Sequence, residues 1–325
     1  AAVGPDWVST FSEDFTGAAN SAPNPGTWNY DVSGCAWPQN SELQQYTDNR
    51  RENTRLDGAG NLIIDARQEG GFCAPHTSGR INSGWKFYSQ YGKFEARLRV
   101  PAGNGFWPAF WMLGQDIGWS GWPGCGEADI MEQRGDLTAR NQGSFHGPGY
   151  SGASSYSGYH WIGAPDFAAD YHVFTMEWYP NLLRYLVDGT VFYEFRPDML
   201  SGGQTCVLEN RPMFFILNVA VGGVYGLPPD GSTPWPGRMT VDYVRHWHDN
   251  GQLKPYVAAP MAVPGKVEAE LFDQGGEGVA YHETDIGNNG SSLLRGWEAV
   301  DLEPCTDAGG TTNVGWTAAG EWLAY

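Results

Sequence analysis

In the stretch Gly92-Lys93-Phe94-Glu95-Ala96-Arg97-Leu98-Arg99-Val100, the apolar Phe94, Ala96, Leu98 and Val100 alternate with the charged Lys93, Glu95, Arg97 and Arg99. Successive side chains of an extended chain point to opposite faces, so a period of two predicts a strand with one face in a core and one in water. Further along, Leu182 to Val187 and Thr190 to Phe195 flank Asp188-Gly189. That pair tolerates the positive φ of a two-residue type I′ turn, and a β-hairpin is predicted. Phe174 to Trp178 precedes the hairpin across Pro180-Asn181, and Phe214 to Val221 has the near-continuous apolar pattern of a strand covered on both faces. No stretch carries sustained helical periodicity. Many short antiparallel strands within about 250 residues predict an all-β fold, a two-sheet antiparallel sandwich of the jelly-roll kind.

The 325 residues include 19 Lys+Arg and 37 Asp+Glu, a formal charge of −18. Phosphate attraction needs a basic face, so neither nucleic acid nor an anionic membrane is an expected partner. The longest mainly apolar run, Met213 to Val221, contains Asn218 and falls well short of the ~20 residues of a membrane-spanning helix. With 45 Gly, 21 Pro and 15 Trp, the composition points to turns, strands and a ring-lined surface. Cys35, Cys73, Cys125, Cys206 and Cys305 show no C-x-x-C or Cys/His metal spacing. Two disulfides among the first four, in any of three connectivities, stand against all five thiols being free. Ala1-Ala2-Val3-Gly4-Pro5 has neither a basic patch nor an apolar core, so no uncleaved signal peptide is expected; small residues there fit a mature secreted chain.

Tyr243 to Trp247 reads as a closing strand. Pro255, Pro260 and Pro264 then punctuate Val257-Ala258-Ala259, the composition of a semi-stiff linker. Residues 261–325 hold 11 acidic and 2 basic residues. The predicted organisation is a catalytic β-sandwich over 1–252, a Pro/Ala linker over 253–266 and a small second module over 267–325, too short for more than a marginal core.

The chemistry concentrates in Gly126-Glu127-Ala128-Asp129-Ile130-Met131-Glu132, which follows Trp119, Trp122 and Pro123. On a regular strand Glu127 and Asp129 share a face while Glu132, five positions on, points away. A one-residue bulge near Ile130-Met131 would restore the parity, and such a bulge is predicted. Three carboxylates on one face repel and push their pKa values apart, a cost that function explains best. Two carboxyl groups on either side of a glycosidic bond perform retaining hydrolysis: one attacks the anomeric carbon, the other protonates the leaving oxygen and then activates water. A solvated acidic face or a Ca²⁺ site are the alternatives; the interleaved apolar residues and nearby tryptophans weigh against the first.

Glu127-Ala128-Asp129-Ile130-Met131-Glu132 resembles the E-x-D-x-x-E signature of family 16 glycoside hydrolases, in its bulged, laminarinase-like form rather than the shorter E-x-D-x-E of lichenases. Other blocks between residues 8 and 248 agree in order, among them Asn40-Ser41-Glu42-Leu43-Gln44-Gln45-Tyr46-Thr47, Gly105-Phe106-Trp107-Pro108-Ala109-Phe110-Trp111-Met112 and Leu217-Asn218-Val219-Ala220-Val221-Gly222-Gly223. The resemblance implies a cleft across a concave sheet and a secreted, monomeric endo-β-1,3-glucanase acting on β-1,3-glucan. It implies Glu127 as nucleophile, Glu132 as acid/base and Asp129 as helper. Mixed-linkage glucanase, galactan hydrolase and transglycosylase activities share these acids, and a non-catalytic glucan-binding protein shares the scaffold.

Trp107 and Trp111, four apart in a strand-like segment, share a face, and an indole offers a rigid platform for the C–H face of a sugar. By the resemblance they line the cleft, as does Trp122. His146 is expected beside the acids as a hydrogen-bond donor, and Asn40, Glu42 and Arg80 on the donor side, Arg80 binding hydroxyls through its planar fork. No cofactor is needed for the chemistry. A structural Ca²⁺ is implied on the convex side, at Asp242 with the carbonyls of Asp14 and Gly60. Residues 267–325 resemble the first half of a family 6 carbohydrate-binding module, whose sugar-stacking aromatic corresponds to Trp316; a half-module is expected to bind glycan weakly or not at all.

Overall fold

The computed structural model describes residues 7–33, 39–71, 73–208 and 211–249, with short segments at 281–282, 300–306, 312–315, 317–319 and 321–323. In chain order the first strands are β1 (Trp7–Glu13), β2 (Asn29–Tyr30), β3 (Gln44–Tyr46), β4 (Thr54–Leu56), β5 (Leu62–Gly71) and β6 (Ala74–Ser78). There follow β7 (Arg80–Asn82), β8 (Gly92–Arg99), β9 (Phe106–Gly114), β10 (Glu127–Glu132), β11 (Arg140–His146) and β12 (Tyr156–Trp161). The last are β13 (His172–Tyr179), β14 (Leu182–Val187), β15 (Thr190–Phe195), β16 (Met213–Val221) and β17 (Gly237–Asp249). One sheet has the order β15-β14-β13-β8-β17-β5-β6-β3, with β1 beside β17 and β4 beside β5; the other runs β12-β11-β10-β9-β16-β7-β2. Apart from the parallel pair β3–β6, the pairings are antiparallel. The two sheets form the predicted sandwich.

Local chemistry accounts for the elements. Along β8 burial alternates strictly, with Phe94, Ala96 and Leu98 inward and the charged residues outward. Between β14 and β15, Asp188 and Gly189 have φ of 48° and 76°, the two positive values a type I′ turn requires. All nine residues of β16 are buried, Asn218 included. The core joins both sheets through rings such as Phe215, whose centroid lies 5.8 Å from that of Phe94 and 5.7 Å from that of Phe110. Among the described residues the only α-helix is Ile117–Ser120, and no helix is long and apolar enough to cross a membrane.

Cys73 is disulfide-bonded, whereas Cys125 is a free thiol buried in the turn before β10, its pKa pushed up to about 11, mainly by burial. Two disulfides among the first four cysteines are therefore not formed. Toward the C-terminus, Tyr281–His282 pairs with Trp322–Leu323 and Leu302–Pro304 with Thr312–Val314. Tyr281, Val300 and Leu302 make a small core there with Val314 and Leu323. The linker expected at 253–266 and the aromatic Trp316 lie outside the described residues.

Candidate active site

Strand β10 carries a one-residue bulge. Asp129 faces Ser144 and Glu132 faces Gln142, so β10 advances three residues where β11 advances two. The same slip recurs against β9, where Asp129 pairs with Trp111 and Met131 with Phe110. The extra residue restores the parity: Ala128, Ile130 and Met131 are fully buried in the core, while Glu127, Asp129 and Glu132 open on one cavity on the other face of the sheet. Facing residues of paired strands share a side. One row therefore crosses six strands: Arg80 (β7), Asn218 (β16), Ala109 (β9), Glu132 (β10), Gln142 (β11) and Tyr159 (β12). At ~4.8 Å per strand it spans about 24 Å, room for several sugar rings. Ala109 and Ala220, both small, lie on the cavity's floor.

Each outer carboxylate accepts from an indole. Trp107 Nε1 donates to Glu132 Oε1 at 3.0 Å and Trp122 Nε1 to Glu127 Oε2 at 2.6 Å. Trp111 donates instead to Asn218 Oδ1 at 2.7 Å, and Asn218 Nδ2 donates to Tyr46 OH at 3.1 Å. Glu127 and Asp129 hydrogen-bond to each other. Removal from water raises all three acids. Glu127 is pushed up to about 8 by burial and then by the charge of Asp129, and Asp129 to about 7 by burial. Glu132 rises well above the carboxylate range for the same two reasons as Glu127. Burial thus favours the proton-bearing form of each acid, Glu132 included.

His146 Nε2 stands 2.9 Å from Asp129 Oδ2 and 4.0 Å from Glu127 Oε1. Its Nδ1 accepts from the Gly152 backbone N–H at 3.1 Å, so the proton of the neutral ring sits on Nε2, facing the acids. Glu127, Asp129 and His146 do bring three ligand atoms within 4.8 Å of one another. A metal on Nε2 would, however, force the proton of the neutral ring onto Nδ1, against the Gly152 N–H. The trio reads as an acid cluster with a hydrogen-bond donor.

On the β7 side, Asn40, Glu42 and Arg80 line the same cavity. Asn40 and Ser41 have φ of 53° and 58°, a strained turn for residues other than glycine, anchored by the Val224 N–H donating to Asn40 O at 2.8 Å. Glu42 accepts from Gln44 Nε2 at 2.5 Å and from Asn40 Nδ2 and Tyr46 OH at 3.4 Å, while burial raises its pKa. The Arg80 fork is engaged: NH2 lies 2.7 Å from Asp31 Oδ2 and 3.1 Å from Ser33 Oγ, and the guanidinium stacks 4.7 Å from the Tyr46 ring centre. Sequence reasoning missed Tyr46 and Asn218, although a lone Asn inside an apolar strand was a usable signal.

At the expected Ca²⁺ position, the Asp14 carbonyl lies 3.8 Å from where a Cβ on Gly60 would stand, so the two backbone segments are neighbours. Glu13 pairs with Val244, which brings Asp14 to the stretch of β17 that contains Asp242. One oxygen of Asp242, Oδ2, is held by Arg97 NH1 at 2.5 Å. One carboxylate and backbone carbonyls are hard oxygen donors, the type that suits Ca²⁺.

The profile of Glycosyl hydrolases family 16 matches residues 39–245. The Beta-glucanase of Rhodothermus marinus is 38% identical over 248 residues, covering 74% of this chain and 85% of that protein. The Glucan endo-1,3-beta-glucosidase of Cryptopygus antarcticus is 36% identical over 259 residues, covering 74% and 92%. The solved catalytic domain of an endo-1,3-beta-glucanase (laminarinase) from Thermotoga petrophila RKU-1 superposes with a TM-score of 0.71 at 39% identity, covering 76% of this chain and all of that one. The chain belongs to glycosyl hydrolases family 16 and is a glycoside hydrolase.

Proposed function

We propose that the protein is a retaining endo-β-1,3-glucanase. The observation that carries this reading is the bulged strand, which turns Glu127 and Glu132 into one cavity with an indole N–H on each. Glu127, ionised, attacks the anomeric carbon from below the ring while protonated Glu132 donates its proton to the departing oxygen. The sugar is then an ester on Glu127. Glu132, now a carboxylate, takes a proton from water, whose oxygen displaces Glu127 from the same carbon. Asp129 shares a hydrogen-bonded proton with Glu127 and, with the His146 N–H and the Trp122 indole, supports the carboxylate that leaves. A row of facing residues that runs on both sides of the acids across six strands suits cleavage inside a polymer. Relatives named for β-glucan and for 1,3-β-glucan hydrolysis support the substrate class.

Incubation with laminarin, curdlan, lichenan and a β-galactan tests this. Reducing sugar and a ladder of oligosaccharides are expected from the two 1,3-linked polymers at rates well above lichenan. Release from lichenan or galactan alone would assign a mixed-linkage glucanase or galactan hydrolase, and no release from any polymer would indicate a glucan-binding protein.

A structural Ca²⁺ at Asp242 and the carbonyls of Asp14 and Gly60 accompanies this reading. Calcium is expected to raise the unfolding temperature by several degrees and chelation to reverse it, with kcat unchanged; an Asp242→Ala variant should not respond. Equal midpoints with calcium and chelator would remove the site. Secretion is supported by the disulfide at Cys73, since such bonds persist in oxidising compartments; glucanase activity in the culture medium of the source organism checks it. A monomer is proposed, to be read by light scattering, with a catalytic unit over 1–252 and a separate small module over 267–325, to be read by limited proteolysis.

A further inference from the structure

Beyond Glu132 the row of facing residues continues onto β11 and β12, and there the surface turns aromatic. Tyr159 and Trp161 are two apart on β12 and so share the face of the acids; they face Gln142 and Arg140 across the pairing. Both rings are half exposed or more, at 50% and 59%. Arg140 lies among them, its guanidinium 4.9 Å from the Tyr159 ring centre, 5.9 Å from that of Trp161 and 6.0 Å from that of Tyr225. It also donates to Tyr225 OH at 3.2 Å. The Tyr225 ring in turn meets Trp107 at 5.2 Å, and Trp107 donates to Glu132. An unbroken line of contacts thus joins the acid to two open rings on the side away from Glu42 and Arg80.

A ring held by a cation on one side and still half exposed to water has apolar surface left to stack on the C–H face of a pyranose ring. We propose that Tyr159 and Trp161, braced by Arg140, form an acceptor platform that holds a glucan chain on the leaving-group side, and that this platform directs part of the turnover into transglycosylation. In the transfer step a hydroxyl of the held chain takes the place of water. Its oxygen forms the new bond to the anomeric carbon, its proton goes to the Glu132 carboxylate, and the ester bond breaks to return Glu127 as a carboxylate. The platform raises the local concentration of sugar hydroxyls over the ester. The inference rests on the glucanase reading above.

The experiment compares wild type with Trp161→Ala, Tyr159→Ala and Trp161→Phe on laminarihexaose and on an aryl laminaribioside, whose leaving group places no sugar on the platform. Loss of one stacking ring is expected to lower kcat/KM on the hexaose about tenfold more than on the aryl glycoside. The ratio of longer-chain products to hydrolysis products at high hexaose concentration should fall by a similar factor, with Trp161→Phe in between. Since the side chain is exposed, unfolding temperatures should match wild type. If wild type releases no sugar from laminarin, the glucanase reading fails and the platform with it. If wild type cleaves laminarin but the Ala variants keep its transfer ratio and lose equally on both substrates, the platform alone is overturned.

Discussion

Glu127→Gln is expected to lower kcat on laminarin by about 10⁴-fold or more, because no other group can form the glycosyl ester, while glucan still binds. The substitution keeps the shape and leaves the Trp122 indole an oxygen to donate to. It removes a group that burial holds at about 8 instead of the ordinary 4.5. A carboxyl raised in the folded state supports the fold fully below its unfolded pKa. That support is lost between 4.5 and about 8, where the unfolded chain is already ionised, and the loss levels off above. The amide that replaces the carboxyl does not titrate. The inactive variant should therefore unfold at the same temperature as wild type near pH 4 and several degrees higher by pH 8 to 9. A variant that keeps a tenth of wild-type kcat would end the assignment of Glu127 as nucleophile. Equal unfolding temperatures across that range would end the claim that the cavity strains its acids.

The same raised acids set the pH profile. Turnover needs one proton off the Glu127–Asp129 pair and one on Glu132. The acid limb of kcat/KM is thus expected above the ordinary carboxylate range, near the values of about 7 and 8 that burial imposes on the pair.

Local pattern made much of this molecule legible. Alternation fixed which face of β8 is buried, and the Asp-Gly pair fixed the β14–β15 turn, because both depend on residues adjacent in the chain. The bulge in β10 followed from parity: Glu132 lies an odd number of residues, five, beyond Glu127 and cannot share its face on a regular strand. Sheet order was out of reach, since β17 lies between β8 and β5 through pairings up to about 180 residues apart in sequence. The same non-locality hid Tyr46, whose hydroxyl reaches Asn218 across 172 positions. It also hid Tyr159 and Trp161, whose relation to Glu132 exists only through the register of β11 between them. Arg80 lines the cavity that holds the acids, but its partner Asp31 comes from a different segment and was not anticipated.

Glu132→Ala separates the acid's role from the nucleophile's. On laminarin the departing sugar oxygen needs a proton, and losing the donor should cost about 10³- to 10⁴-fold. A 2,4-dinitrophenyl glycoside leaves without that help, so the ester on Glu127 should still form quickly and then persist, because water is no longer deprotonated. A burst of dinitrophenolate followed by slow turnover is expected. Azide, a nucleophile needing no general base, should accelerate the slow phase and yield a β-glycosyl azide, the anomeric carbon having been inverted twice. Glu127→Ala with the same substrate should instead give the α-azide after a single inversion. The Trp107 indole loses its acceptor in Glu132→Ala, so the cavity wall must be intact for the comparison to hold; near-native intrinsic fluorescence would establish that. Equal losses of Glu132→Ala on laminarin and on the dinitrophenyl glycoside, with no burst and no azide product, would show that the proton on Glu132 takes no part in bond cleavage. The pair of carboxyls gathered by the bulge would then no longer explain the reaction.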